Sequence, residues 1–265
     1  MTWTRPQVDL NPWVPGAPIL LIGSGGSMGR RYRAIFRSLG VAVRGHDVTG
    51  AASGEYARDL ARHHGVRGIV IASPTETHAD YIRALSLLNL PILCEKPLST
   101  DLATVAELLR VPGPLAMMAQ YQCLDHGDTE GDTAYDFYHS GSDGLAWDCI
   151  QLLGLARGPV SLRAESPVWR CTLNGRRLTL DDVGQAYVDF VAHWLQDPDS
   201  NRPETLRWHQ RAAAWEATPH GRHDGDWRGP YRVGISGRAM TILPFSASLR
   251  PAWDAFVDAS PEAWW

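Results

Sequence analysis

Pro18-Ile19-Leu20-Leu21-Ile22 runs directly into Gly23-Ser24-Gly25-Gly26-Ser27-Met28-Gly29 near the start of this sequence of 265 residues. The first five residues form a continuous apolar run, which is typical of a strand buried on both faces of a parallel sheet. After the glycines, apolar residues recur at i, i+3, i+4 and i+7 between Tyr32 and Leu39 and so share one face of a helix. The order of strand, glycine-rich loop and helix predicts an α/β domain.

The glycine-rich loop has the composition of a dinucleotide-binding turn. In such a unit, glycines permit the tight turn, the approach of the backbone to a pyrophosphate and close packing of helix on strand, and the helix N-terminus attracts the phosphate charge. The usual spacing is G-x-G-x-x-G, which this loop meets with one extra residue. Plain turns can have the same composition, so the assignment to a dinucleotide-binding turn depends on the strand before the loop and the helix after it. The predicted cofactor-binding residues here are Gly23, Gly25, Gly26, Ser27, Met28 and Gly29.

A carboxylate follows the second predicted strand. The run from Val41 to His46 ends at Asp47, which lies 18 residues beyond Gly29. A carboxylate at this place accepts hydrogen bonds from the ribose hydroxyls and repels a 2′-phosphate, so we predict NAD(H) rather than NADP(H). The alternative is that Asp47 only begins a turn.

Helices and strands continue to alternate up to residue 119. Five strands are expected at 18–22, 41–46, 68–72, 91–94 and 115–119, and the helix before the last one is expected to begin at Ser99 or Thr100. This alternation predicts a doubly wound parallel sheet that binds ligands at the carboxyl ends of its strands. The glycine loop, Asp47 and the segments 73–78 and 95–97 all fall there.

Composition excludes several function classes. The net charge of −4 and the pI near 6.2 argue against a nucleic-acid partner. Four arginines crowd the first helix, and we interpret them as a solvated face rather than as cofactor-facing charges: Arg30, Arg31, Arg33 and Arg37. No apolar run is long enough to span a bilayer and no signal sequence is recognisable, so we expect a cytoplasmic protein without a membrane partner.

No metal site or disulfide is expected. The four cysteines are scattered without a C-x-x-C pair, which indicates buried apolar residues or free thiols. Near the C-terminus, the group His220, His223, Asp224 and Asp226 is better interpreted as a polar loop than as a metal site, because the surrounding glycines do not fix ligand geometry.

Three motifs in order carry a family resemblance over about residues 18 to 124: Gly-Ser-Met-Gly-Arg-Arg at 26–31, Ala-Ser-Pro-Thr-Glu-Thr-His at 72–78 and Cys-Glu-Lys-Pro-Leu at 94–98. The sequence resembles the Gfo/Idh/MocA family, the glucose-fructose oxidoreductase and inositol dehydrogenase group of nicotinamide-dependent enzymes. The resemblance implies that Glu95 contacts the nicotinamide ribose and that Lys96 reaches toward the reacting carbon and the substrate hydroxyl. It also implies further cofactor-lining residues, which are Ser73, Pro74, Thr75, His78 and Pro97.

Lys96 has the chemistry that hydride transfer needs. A lysine beside a nicotinamide can stabilise the charge that develops on the substrate oxygen and can transfer a proton. We hypothesise that Pro97 aims this side chain through a cis peptide bond. The alternatives are an exposed lysine at the end of a strand and, for His78, a capping or packing role.

The family's acid/base histidine is not found. Family members carry an Asp-x-Gly-x-His-x-x-Asp type motif, but no histidine stands two residues after Gly144 in the corresponding segment 139–154. His139, Asp143 or Asp148 could act instead, Lys96 could act alone, or catalysis could be lost. A surface role for His139 and a structural role for Asp148 remain open.

The resemblance implies an α+β domain with a mostly antiparallel sheet after the Rossmann domain at 18–124. The residues that remain, 125–265, are few for this domain, so we expect a smaller one than in other family members. Strands are expected at 134–138, 160–165, 168–173 and 177–180, with Asn174-Gly175 as a hairpin turn. A helix capped by Asp181 or Asp182 should follow, with an apolar face from Tyr187 to Trp194, and then a helix at about 203–217. Family members associate through this sheet, so a homo-oligomer is expected.

The sequence therefore predicts an NAD(H)-dependent oxidoreductase acting on a small polar substrate that is sugar-, cyclitol- or keto-like. Two other functions remain open. One is a catalytically silent nucleotide-binding or regulatory protein, and the other is a reductase of a conjugated or imine substrate, which needs little acid/base help.

Overall fold

The computed structural model describes residues 16–47, 54–124, 131–136, 145–158, 160–163, 170–199 and 201–217. The predictions for His139, Asp143 and the polar loop at 220–226 lie outside these residues.

A five-stranded parallel sheet forms the first layer of the fold. Its strands are β1 (Ile19–Ile22), β2 (Val43–His46), β3 (Gly68–Ile71), β4 (Ile92–Cys94) and β5 (Leu115–Met117), in the order β2-β1-β3-β4-β5. Every residue of β1 and β3 is buried, as the apolar runs predict for strands covered on both faces. The strand order reverses between β1 and β3, which opens a crevice at their carboxyl ends.

Four helices cover this sheet. They are α1 (Ser27–Ser38), α2 (Gly54–His64), α3 (Thr75–Ser86) and α4 (Leu102–Leu108). The predicted caps of α4 are wrong, because the side chain of Ser99 accepts the backbone N–H of Asp101 and so belongs to the preceding turn. Asp101 is the N-cap instead, and its carboxylate accepts the backbone N–H of Thr104 at 2.8 Å.

The second half contributes a mixed sheet and further helices. A 3₁₀ segment (Gln120–Cys123) leads to β6 (Thr133–Asp136), α5 (Leu145–Asp148), α6 (Ile150–Leu155), β7 (Val160–Arg163), β8 (Arg170–Leu173), β9 (Arg176–Leu178), α7 (Leu180–Trp194) and α8 (Arg202–Glu216). The sheet order is β7-β6-β8-β9, in which β6 pairs parallel with β7 and the other two pairings are antiparallel. The predicted fold class, a Rossmann sheet plus a smaller, mostly antiparallel sheet, is confirmed.

Among the described residues of the second half, the predicted hairpin turn and the apolar face of α7 are found, but the predicted cap of α7 is not. Asn174 and Gly175 have φ of 50° and 77° and close the predicted hairpin. The apolar face of α7 is buried as expected. Its N-cap is Thr179 rather than Asp181 or Asp182, because Thr179 and Asp182 form a capping box in which each side chain accepts the backbone N–H of the other.

The two halves join along the free edge of β5. The side-chain amide of Asn201 accepts the backbone N–H of Met117 at 3.1 Å and donates to its carbonyl oxygen at 2.6 Å. Asp199 accepts the backbone N–H of Leu115 at 3.0 Å. Residues just before α8 therefore satisfy the edge of the sheet as a sixth strand would.

The described helices are all too short or too polar to cross a membrane. The four cysteines are free thiols, of which Cys94, Cys149 and Cys171 are buried.

Candidate functional site

A cleft of about 530 Å³ opens at the carboxyl ends of β1, β3 and β4, where the second half of the chain faces the parallel sheet. Most of the predicted site residues line it: Gly26, Ser27, Met28, Ser73, Pro74, Thr75, His78, Glu95, Lys96 and Asp148. The second half adds side chains on the opposite wall from the 3₁₀ segment, β6, α6 and α7. The volume suits a small-molecule site.

The glycines of the loop have different roles. Gly23 has φ of +78°, and a Cβ there would lie 2.5 Å from the carbonyl oxygen of Ala72. A Cβ on Gly29 would overlap the carbonyl oxygen of Gly23. A Cβ on Gly26 would meet only that same oxygen, at 3.3 Å, and would otherwise face the cleft. Gly23 and Gly29 thus shape the loop, whereas Gly26 exposes its backbone to the cleft.

This difference predicts a contrast between two alanine variants. Gly26→Ala should leave the melting temperature within about 3 °C of wild type but weaken NADH binding at least about tenfold, because a methyl group would occupy the phosphate approach. Gly29→Ala should lower the melting temperature as well, because the helix must move off the loop. Thermal melts and NADH titrations of both variants check the contrast, and full NADH affinity in Gly26→Ala would contradict it.

The N-terminus of α1 fits an anionic cofactor. Gly26 is the N-cap, no side chain caps it, and the first turn carries no acidic residue. Uncapped N–H groups together with the helix dipole favour a phosphate at this end. The residues present therefore fit the pyrophosphate of a dinucleotide.

Asp47 lies against the same loop at the outer end of the crevice. Its carboxylate accepts the backbone N–H of Gly25 at 2.6 Å and the hydroxyl of Ser24 at 3.3 Å, and the residue is exposed. Arg33 donates to the hydroxyl of Ser24 at 2.9 Å. The carboxylate is thus fixed beside the loop where a ribose would be expected.

The interpretation of the α1 arginines as a solvated face is wrong for Arg31. Arg30, Arg33 and Arg37 are exposed, but Arg31 is buried and lines the cleft. Its guanidinium lies 4.7 Å from the ring centroid of Tyr187 on α7. The prediction fails because α7, which comes more than 140 residues later, covers this side of α1.

Glu95 is fixed by a residue that sequence reasoning treated only as core. The hydroxyl of Tyr32 donates to one carboxylate oxygen of Glu95 at 2.7 Å, and the backbone N–H of Lys96 reaches the other at 3.3 Å. Burial, and then the neighbouring Glu95 charge, raise the pKa of Tyr32, so its hydroxyl remains a donor. The apolar spacing of α1 predicts only that Tyr32 is buried, and no local pattern shows that its hydroxyl reaches Glu95, just after β4.

Lys96 and Asp148 meet in the cleft. Lys96 Nζ lies 4.0 Å from Asp148 Oδ1, and the two side chains are 13% and 18% exposed. The Lys96–Pro97 peptide bond is cis, as hypothesised. Asp148, one of the predicted replacements for the missing histidine, is therefore placed beside the predicted catalytic lysine.

Composition carries a signal for Lys96. It is the only lysine among the 25 lysine and arginine residues of the sequence. Arginine cannot release a proton near neutral pH, whereas lysine can. The chain thus uses arginine for every other long cationic side chain and has its one lysine in the cleft.

His78 connects two loops of the cleft. Its Nδ1 lies 2.8 Å from the carbonyl oxygen of Pro97, and its Nε2 lies 2.8 Å from that of Ser73. Burial lowers the pKa of His78 against the opposing effect of these two carbonyl groups. A neutral ring can donate to only one carbonyl oxygen at a time. The geometry supports the packing alternative, with both ring nitrogens directed at backbone.

Two glutamines of the opposite wall were not predicted. Gln151 donates to Gln120 at 2.8 Å and accepts the backbone N–H of Tyr121 at 3.2 Å, and both glutamines are buried and line the cleft. Their positions depend on α6 meeting the 3₁₀ segment, which no local sequence pattern shows. Across the described ranges, no group of three His, Cys, Asp or Glu side chains could hold a metal ion.

Residues 44–112 match the family model of GFO_IDH_MocA, described as an oxidoreductase family with an NAD-binding Rossmann fold. The match covers two of the three motifs, so the resemblance to the Gfo/Idh/MocA family is confirmed, and NAD, the cofactor predicted from the sequence, is the one that this family binds. A search of curated proteins finds no relative.

Solved structures with the same fold include two of known activity. The WlbA (WbpB) dehydrogenase from Thermus thermophilus, in complex with NAD and UDP-GlcNAcA, is 15% identical with a TM-score of 0.58, over 77% of this chain and 95% of that one. A myo-inositol dehydrogenase from Corynebacterium glutamicum is 15% identical with a TM-score of 0.51, over 76% and 96%. A Gfo/Idh/MocA family oxidoreductase from Vibrio cholerae is 14% identical with a TM-score of 0.55, over 75% and 96%. At these identities the likeness concerns the fold.

Proposed function

We propose that this chain is an NAD(H)-dependent oxidoreductase of the Gfo/Idh/MocA type, which transfers a hydride to or from a small polar substrate in the cleft. The observation that carries the proposal is the pair formed by Lys96, just after β4, and Asp148, at the end of α5, which lie 4.0 Å apart and are largely buried. A proton-transferring group beside the nicotinamide half of the site is what an alcohol dehydrogenase requires.

Different residues of the chain bind different parts of the cofactor. Bound NAD(H) supplies or accepts the hydride at its nicotinamide ring. The glycine loop and the N-terminus of α1 hold the pyrophosphate, and Asp47 holds the adenosine ribose. Glu95, oriented by Tyr32, binds the second ribose. These contacts place the cofactor along the carboxyl ends of the strands.

Lys96 handles the proton of the substrate oxygen. In reduction, its ammonium group donates a proton to the oxygen as negative charge develops there, and in oxidation its neutral amine takes the hydroxyl proton. Asp148 stabilises the ammonium form and, being partly exposed, connects the pair to water. The pair thus supplies the acid/base function that the family assigns to a histidine.

The substrate class follows from the cleft and from the relatives. The substrate end offers one cation and one anion close together, with Tyr135 and Gln151 as further polar groups. Such a wall suits hydroxyl and carbonyl groups better than a strongly charged molecule. Because relatives with this fold act on myo-inositol or bind a nucleotide sugar, a screen of cyclitols, sugars and their keto forms is the appropriate panel.

Association of two chains through the second sheet, and a domain boundary between residues 124 and 125, remain predictions.

The experiment that tests the function is a titration of the purified chain with NADH and NADPH, followed by fluorescence and thermal shift, and then the substrate panel with NAD+ and NADH. Saturable NADH binding and turnover of a panel member would support the proposal. The absence of binding to either cofactor would refute it, and binding without any turnover would favour the silent nucleotide-binding protein.

Asp47→Ala should relax the choice between the two cofactors. Wild type should bind NADH at least about tenfold tighter than NADPH, because the Asp47 carboxylate would lie against the 2′-phosphate. In the variant, the two Kd values should agree within about threefold, since Arg33 lies on the same side of the loop. Asp59→Ala, on the exposed surface of α2, is the control. An unchanged ratio of the Kd values in Asp47→Ala would assign Asp47 to the turn alone.

A further inference from the structure

His209 lies at the centre of α8 and is fully buried. Its Nδ1 lies 2.7 Å from the carbonyl oxygen of Thr205, one turn earlier. A carbonyl oxygen can only accept, so Nδ1 must carry the proton of this contact. His209 Nε2 accepts the backbone N–H of Leu98 at 3.1 Å. The two contacts together define a neutral imidazole with one tautomer.

Leu98 belongs to the turn that carries Lys96. The turn is held at three places: Tyr32 donates to the side-chain carboxylate of Glu95, His78 contacts the backbone carbonyl oxygen of Pro97, and His209 accepts the backbone N–H of Leu98. The first two contacts come from α1 and α3, which cover the parallel sheet. Only the third comes from the second half of the chain, 111 residues away in sequence.

We propose that His209 is a positioning residue for Lys96: its Nε2 fixes the turn after β4 at Leu98 and thereby holds the Lys96 amine beside Asp148. The proposal rests on the proposed function, in which Lys96 handles the proton. His209 does not line the cleft.

The loss of the acceptor of the Leu98 N–H should displace the turn. Leu98 is fully buried, so removing the acceptor leaves an unpaired N–H group in the interior unless the turn moves. Lys96 and Leu98 are separated only by Pro97, so a movement that gives the N–H a new partner also moves Lys96. Burial lowers the pKa of His209 to about 4, which keeps Nε2 available as an acceptor at neutral pH.

The uniqueness of Lys96 makes the test direct. Selective labelling with ¹³C,¹⁵N-lysine gives a protein whose lysine spectrum arises from one residue, and acylation of lysine by acetic anhydride, located by peptide mass spectrometry, reports the same amine. The full chain is compared as wild type, His209→Gln and His209→Met. Glutamine and methionine have similar length, but only glutamine offers an amide oxygen as acceptor.

His209→Met should shift the lysine resonance and raise the acylation rate of Lys96 about tenfold, whereas His209→Gln should keep both near wild type. NADH affinity should stay within about twofold in both variants, because Tyr32 still holds the Glu95 carboxylate and the glycine loop is not touched. Equal spectra and rates in wild type and His209→Met would overturn the proposal. Equal changes in the two variants would also overturn it, since the loss of ring volume would then be the cause.

Two further measurements keep the result interpretable. If His209→Met does not fold, the ¹⁵N spectrum of the wild-type imidazoles decides. The proposal requires a protonated Nδ1 and an unprotonated, hydrogen-bonded Nε2 between pH 6 and 8, and the opposite tautomer would overturn it. Failure of the proposed function would show separately, as absence of NADH binding or turnover in wild type, because the lysine spectrum needs neither.

Discussion

Replacing Lys96 with arginine should lower kcat by about three orders of magnitude while leaving the Kd for NADH within about threefold of wild type. Arginine retains the positive charge beside Asp148 but cannot release a proton in the working pH range. The variant therefore separates charge stabilisation from proton transfer. Steady-state kinetics on the substrate found in the cofactor-linked screen, together with an NADH titration, measure both quantities.

Lys96→Ala provides the control for this prediction. It should lose at least as much turnover as the arginine variant, and added propylamine should restore part of it, because a free amine can occupy the space of the lost side chain. Wild-type turnover in Lys96→Arg would show that proton transfer lies elsewhere, with Asp148 as the next residue to replace. Amine rescue of the alanine variant but not of the arginine variant would identify the amine itself as the acid/base group.

Acidification should destabilise the wild-type protein through His209. Burial lowers the folded-state pKa of His209 to about 4, compared with about 6.5 in an unfolded chain. Above pH 6.5 the imidazole is neutral in both states, so its full contribution is present. As the pH falls toward 4, the unfolded chain takes up the proton first, and the free energy of unfolding decreases by about 3 kcal/mol. Once His209 is protonated in the folded protein, its Nε2 carries a proton and can no longer accept the Leu98 N–H.

The measurement compares urea unfolding of wild type and His209→Gln at several pH values between 7.5 and 4. Glutamine accepts the same N–H group but does not titrate, so the difference in the free energy of unfolding between the two proteins should change by about 3 kcal/mol across this range. His78, whose pKa burial also lowers, is present in both proteins and cancels. Parallel pH profiles would show that His209 is protonated equally easily in the folded and unfolded states.

The sequence predicts the cofactor half of the site because its signals are local. The glycine loop, Asp47 and the turn at Glu95 each follow a strand, and parallel strands bring their carboxyl ends to one edge. The structure places them there. Their roles in binding remain predictions, as does the catalytic role of His139.

The contacts that orient those residues could not be predicted. Tyr32 and Glu95 are 63 residues apart, and His209 and Leu98 are 111 apart, so neither pair leaves a pattern in a short window. Arg31 was assigned to solvent because spacing within α1 contains no information about α7. By contrast, the amino-acid composition alone shows that Lys96 is the one lysine of the sequence, which favours the catalytic interpretation. Asp148 is one of several alternatives in the sequence, and the fold places it 4.0 Å from Lys96, while its catalytic role remains a prediction.

The pairing of Asn201 and Asp199 with the edge of β5 has a consequence for how the chain is made. Asn201 follows its partner Met117 by 84 residues, so a ribosome finishes β5 long before it supplies the groups that satisfy its edge. During that interval the nascent sheet presents unpaired backbone groups that can recruit a strand from another molecule. A fragment ending at residue 124 would remain permanently in this state: it would keep every cofactor motif and yet be prone to aggregate. The second half of the chain thus protects the edge of the first half against pairing with another molecule.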